Sequence, residues 1–99
     1  NILLNAVQSM AGKGTLSLSS IFDDHEVRVT IEDTGPGISA DIMEKIFNPF
    51  FTTKGNGTGL GLSVSYGIVQ AHGGSIDVCS ASGQGAVFRI HLPLANTFA

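Results

Sequence analysis

Residues 54 to 74 read Lys54-Gly-Asn-Gly-Thr-Gly-Leu-Gly-Leu-Ser-Val-Ser-Tyr-Gly-Ile-Val-Gln-Ala-His-Gly-Gly74. Glycines at 55, 57, 59 and 61 open backbone conformations closed to other residues and let an anionic group approach the main chain. The second half places Leu60, Val64, Ile68 and Ala71 at helical spacing, predicting a helix buried on that side and stopped at Gly73-Gly74. A flexible loop thus feeds a helix N-terminus, where unpaired N–H groups and the dipole favour negative charge. By itself such a loop serves equally as a turn or a linker. No Gly-x-x-x-x-Gly-Lys-Ser/Thr occurs, and no Gly-x-Gly-x-x-Gly follows a strand and opens a helix, so any phosphate site belongs to another class.

Outward from this stretch the chain alternates helix and strand patterns. Asn1 to Met10 carries Ile2, Leu3, Ala6, Val7 and Met10 against Asn1, Asn5, Gln8 and Ser9, two opposed helical faces. Asparagine is a poor helix former, so Asn1 and Asn5 on the polar face are either simply solvated or kept for their amides. No cap precedes this helix, and the chain is expected to begin inside it, partway through a domain. After Gly12-Lys13-Gly14, residues 15–22 alternate as a half-buried strand. Asp23-Asp24-His25 makes a turn, and residues 26–32 return with Val27, Val29 and Ile31 facing in.

Asp33-Thr-Gly-Pro-Gly-Ile38 follows at once: a carboxylate at a strand end, then a turn whose backbone a flat ligand can approach. An aspartate that merely opens a turn is the competing account. Ser39 is the expected N-cap of a short helix from Ala40 to Phe47, which Asn48-Pro49 ends. Phe47, Phe50 and Phe51 read as an anchor of the glycine loop against the core, or as a plain hydrophobic cluster. Residues 75–80 and 86–92 form two further strands, the last with Phe88, Ile90 and Leu92 on one face. The expected fold is α+β, a two-layer sandwich with helices on one face of a mixed, largely antiparallel sheet.

Composition narrows the function. Ninety-nine residues form one domain with one core, and 42% hydrophobic content is ordinary for a soluble protein. No apolar run approaches the roughly 20 residues that span a bilayer. A net charge of −3 lacks the basic face that nonspecific nucleic-acid binding needs. Cys79 is alone, which rules out an internal disulfide, and its strand-like surroundings read as a buried small thiol.

Four segments in order resemble the nucleotide-binding domain shared by sensor histidine kinases, type II topoisomerases, a heat-shock chaperone family and mismatch-repair ATPases, the GHKL or Bergerat fold. Asn1-Ile-Leu-Leu-Asn5-Ala6 is similar to its N box, Asp33-Thr-Gly-Pro-Gly37 to the G1 box, Phe47-Asn-Pro-Phe-Phe51 to the F box and Gly57-Thr-Gly-Leu-Gly61 to the G2 box. The F box resembles that of the histidine kinases, and Phe50-Phe-Thr-Thr-Lys54 with its short lid resembles the nitrogen-regulation type. The resemblance covers residues 1–99 as one catalytic ATP-binding domain, N-terminally truncated.

The resemblance implies a bound Mg-ATP whose γ-phosphoryl group goes to a histidine on an upstream dimerisation domain absent from this chain. Asn5 would hold Mg²⁺, and Asp33 would accept from the adenine amine. Gly35 and Gly37 would pass close to the base. Thr58, Gly59, Leu60 and Gly61 would wrap the phosphates, and Lys54 would add positive charge. Asn1 stands where ATP-hydrolysing relatives carry a glutamate base; an amide cannot take a proton from water, which favours a kinase over a GHKL ATPase. A nucleotide-sensing module without catalysis is the remaining alternative. Two positions depart from the family pattern: Gln8 where a lysine is frequent, and Ala86 where a threonine is frequent.

A response regulator would be reached through the absent domain. This domain itself would be cytoplasmic and touch neither membrane nor nucleic acid, within a full-length protein that is soluble or membrane-anchored. His25-Glu26-Val27-Arg28 resembles the start of a phosphoacceptor motif, but its β pattern predicts a hairpin turn. His72 is expected to cap a helix end and His91 to face outward from a strand.

Overall fold

Alternating apolar residues build two antiparallel hairpins. The computed structural model describes residues 1–48, 61–80 and 83–94. Strands β1 (Leu16–Phe22) and β2 (Glu26–Asp33) pair with Leu16 opposite Asp33, while β3 (Ser75–Ser80) and β4 (Ala86–Pro93) pair with Ser80 opposite Ala86. The hairpins join through β2 and β4, Asp33 opposite Ala86, giving the order β1-β2-β4-β3. Every pairing among the described residues is antiparallel. Asp23 closes the first hairpin: its Oδ1 accepts from the backbone N–H groups of His25 (2.7 Å) and Glu26 (2.9 Å). These bonds, that to His25 first, hold the Asp23 carboxyl below its ordinary range. His25 therefore lies in a turn, as its surroundings predict.

The period of two sends Ile31, Asp33, Ala86, Phe88 and Val78 to one face, where helices α1 (Ile2–Ser9) and α3 (Gly61–Ala71) cover them. The core is Ile2, Ile31, Ile46, Ala86 and Phe88, with Phe88 only 2% exposed. Phe47 ties α3 to the sheet, its ring centroid 6.4 Å from Phe88 edge-on and 5.1 Å from Tyr66. The opposite face is polar. There His91 on β4 joins the neighbouring strands, Nδ1 3.0 Å from Glu26 Oε2 and Nε2 2.7 Å from Asp77 Oδ2.

Four local expectations are corrected. β1 is exposed along nearly its whole length, because it is the sheet edge and the helix contacts fall on β2 and β3; inward-facing Leu18 and Phe22 remain 60% and 80% exposed. Cys79 is exposed, since Ile76 and Val78 take the inward positions and the register sets it opposite Val87. The short helix is α2 (Ala40–Met43) alone, followed by tight turns through Asn48. Its Ser39 donates to the Asp41 carboxylate, which lowers the Asp41 pKa, and makes no side-chain cap.

The fourth correction is the buried side of α3. Val64 and Ile68 are about half exposed, and the inward residues are Leu62 and Val69, one heptad apart. Phe47 stacked on Tyr66 and the carbonyl of Gly61 bonded to Asn1 fix that rotation. The helix ends as predicted: Gly73 N–H bonds Gln70 O (3.0 Å) and Gly74 N–H bonds Val69 O (2.9 Å), a Schellman motif, with His72 Nδ1 2.9 Å from Ile68 O.

Candidate nucleotide site

Asp33 is the last residue of β2, a central strand, and its side chain lies on the helix-covered face with only 6% exposure. Burying a carboxylate costs several kcal/mol unless it is hydrogen-bonded, so its partners define the site. Oδ1 accepts the N–H of Gly35 at 2.8 Å, which folds the following turn back onto the carboxylate. A side chain at position 35 would crowd that oxygen, since an added Cβ lies 3.0 Å from Oδ1 and 3.3 Å from Met10 Cγ. Gly37 takes φ +76°, a value that favours glycine and lets the chain turn toward α2.

The turn is held on both sides. Thr34 Oγ1 accepts from Thr15 N–H at 2.8 Å, fastening it to the loop after α1. On the other side Ile38 N–H donates to Ser80 Oγ at 2.8 Å, and Gly83 N–H donates to Pro36 O. Gly85, at φ +76°, presses so closely on Asp33 that an added Cβ would overlap the Asp33 carbonyl.

Helix α1 connects this turn to the start of α3. Its C-terminal end meets Gly35 through Ser9 and Met10. At its other end Asn1 Nδ2 donates to Gly61 O at 3.3 Å. The eight residues between span about 12 Å at the helical rise, and half-buried Asn5 sits midway, one turn from either end. Asn1, Asn5, Asp33, Gly35 and Gly61 are therefore strung along one helix and the two segments it touches. Lys54, Thr58, Gly59 and Leu60, with Phe50 and Phe51, lie outside the described residues. Sequence reading missed Thr34, Ser80 and Gly85. No local signal marked the first two, whose partners lie 19 and 42 positions away.

The histidines stand elsewhere. His25 and His91 border a groove with Glu26 and Pro93 at the other end of the sheet, since Glu26 pairs with Pro93 while Asp33 pairs with Ala86. Among the described residues no group of three His, Cys, Asp or Glu side chains could hold a metal ion. None of their helices is long and apolar enough to cross a membrane.

An antiparallel sheet covered on one face by helices, with a buried strand-end aspartate beside a glycine turn, defines a nucleotide-binding domain of the GHKL class. The chain belongs to the family described as histidine kinase-, DNA gyrase B-, and HSP90-like ATPase, which it matches over residues 1–96. It is 46% identical over 97 residues to the sensor histidine kinase ZraS of Escherichia coli O157:H7, covering 98% of this chain and 21% of that protein. It is 43% identical over 93 residues to sporulation kinase A of Bacillus subtilis, covering 94% and 15%. Among solved structures it resembles the catalytic domain of histidine kinase ThkA (TM-score 0.81, 39% identity, 93% of this chain and 60% of that one). It also resembles the mycobacterial sensor histidine kinase MprB (TM-score 0.82, 30% identity, 93% and 64%). The chain thus spans about a fifth or less of these two curated relatives and is of the ATP-binding catalytic type found in sensor histidine kinases.

Proposed function

We propose that residues 1–99 bind Mg-ATP and donate its γ-phosphoryl group to a histidine of a dimerisation domain outside this chain, from which a response regulator takes it. The observation that carries the reading is the buried Asp33 carboxylate, pinned by Gly35 N–H at 2.8 Å. A carboxylate offers two oxygens and only accepts hydrogen bonds, so it selects the exocyclic amine of adenine over the keto oxygen of guanine. Gly35 and Gly37 keep the turn low enough for the base to lie against it.

Asn5 is assigned to the magnesium. The absence of a carboxylate or imidazole cluster among the described residues suits this ion, which takes few protein ligands and keeps several waters beside substrate phosphates. When bound it would neutralise phosphate charge. The triphosphate would run from Asp33 along α1 toward Gly61, where Thr58, Gly59, Leu60 and Gly61 contribute main-chain N–H groups. Lys54 would add a cation to the same charge.

Asn1 is best assigned to positioning. Its amide donates to Gly61 O, and an amide cannot serve as the general base a water-activating ATPase needs. Catalysis would then consist of alignment and charge neutralisation, as in other phosphoryl transfers. The domain would work in the cytoplasm. Mixing this chain, ATP and a cognate dimerisation domain should give acid-labile phosphate on the histidine of that domain. Steady phosphate release without any histidine acceptor would favour the ATPase, and nucleotide binding without either product would favour a sensing module.

A further inference from the structure

We propose that Ser80 is a positioning residue of the nucleotide site, its hydroxyl holding the Asp33–Ile38 turn in the shape that receives adenine. The inference rests on the assignment of Asp33 to the adenine amine. Ser80 is the last residue of β3, and the registers place Ser80, Ala86 and Asp33 in one row across β3, β4 and β2. A serine hydroxyl has one proton to give and lone pairs to accept with. Here the proton goes to Gly85 O, and the oxygen accepts Ile38 N–H at 2.8 Å.

Those two partners bracket the turn. Ile38 is its last residue. Gly85 packs directly on the backbone of its first, Asp33. One side chain therefore fixes both ends, while Gly83 N–H to Pro36 O steadies the middle. The two bonds run in sequence through one oxygen, so each polarises the other.

The turn itself holds little of the core. Thr34 and Pro36 are exposed and Gly35, Gly37 and Ile38 half-buried, whereas the core cluster sits on Phe88, Ile31 and Ile2. Loss of the hydroxyl strands the half-buried N–H of Ile38, and the inexpensive remedy is for the turn to move until water reaches it. A hydrogen bond to adenine tolerates such movement poorly, because its strength falls steeply with angle. The effect should therefore appear in base selectivity more than in global stability.

The test is titration with ATP and with GTP of the wild-type chain and of Ser80→Ala, Ser80→Thr and Asp33→Asn, with hydrogen exchange followed at the Ile38 amide. Ser80→Ala should weaken ATP about three- to tenfold, the worth of one hydrogen bond, leave GTP nearly unchanged and speed Ile38 exchange. Ser80→Thr, which keeps the hydroxyl, should retain the wild-type ATP-to-GTP ratio. A Ser80→Ala ratio equal to wild type, with Asp33→Asn impaired, overturns the role of Ser80 and leaves that of Asp33 standing. A wild-type ratio in Asp33→Asn overturns both. Loss of the ratio in Ser80→Thr as in Ser80→Ala removes the hydroxyl from the account. If Ser80→Ala does not fold, Ser80→Cys, similar in volume and a far weaker hydrogen-bonding group, carries the same ratio test.

Discussion

Asn1 and Gly61, sixty positions apart, meet through a hydrogen bond of 3.3 Å from the Asn1 side-chain amide to the Gly61 carbonyl. The bond joins the start of α1 to the start of α3, two segments that the family resemblance assigns to opposite ends of the triphosphate path. It also sets the rotation of α3, whose first carbonyl it holds in common with Ser65 Oγ at 3.0 Å.

Asn1→Ala should remove that tether at modest cost, about 0.5–1 kcal/mol, because the bond is exposed and water replaces the donor. Urea denaturation checks it. A loss above about 2 kcal/mol would mean that Asn1 does more than this one bond.

Phe88 fills the centre of the core at 2% exposure and touches Phe47 edge-on. Truncation to alanine removes that contact and leaves a cavity, so Phe88→Ala should lose about 3–5 kcal/mol. For a domain of this size that is a large share of the total, and the denaturation midpoint should fall sharply.

The Asp23 turn gives a pH dependence. Its carboxyl is held below the ordinary value of 3.8 by bonds from His25 N–H and then Glu26 N–H, so the folded state favours the ionised form. That contribution is present above pH 3.8 and is lost as the pH falls through the lower folded value. Wild type should therefore exceed Asp23→Asn in Tm at neutral pH, and the gap should close below about pH 4. A gap that widens on acidification would contradict the turn geometry.

Gly85→Ala should be costly because φ is +76° and the new Cβ overlaps the Asp33 carbonyl. Backbone strain alone is about 1–3 kcal/mol. Part of the damage should be local, so nucleotide affinity is expected to fall in whatever fraction remains folded. Thermal melts paired with ATP titration separate the two effects.

The hairpins and the aspartate were legible because their signals are local. Val29 and Ile31 alternate with polar residues, and a carboxylate directly before Gly-Pro-Gly stands out without any knowledge of the sheet. The inward side of α3 was not legible: Val64 and Ile68 form as regular a stripe as Leu62 and Val69, and only Phe47 against Tyr66 and Asn1 against Gly61 decide between them. The exposure of β1 depends on its place at the sheet edge, which strand order sets. Cys79 was readable in principle, for Ile76 and Val78 already claim the inward parity. Ser80 looked like any strand-end serine until Ile38, 42 positions earlier, reached it.

The central claim is that adenine is read by Asp33, and calorimetric titration of ATP into the wild-type chain and into Asp33→Asn tests it most directly. The substitution keeps size and shape while replacing half of an acceptor-only group with a donor. Wild type should bind ATP, and the variant should bind it at least about tenfold more weakly, the loss of a hydrogen bond to a charged group. Equal affinity in the two proteins would contradict the account.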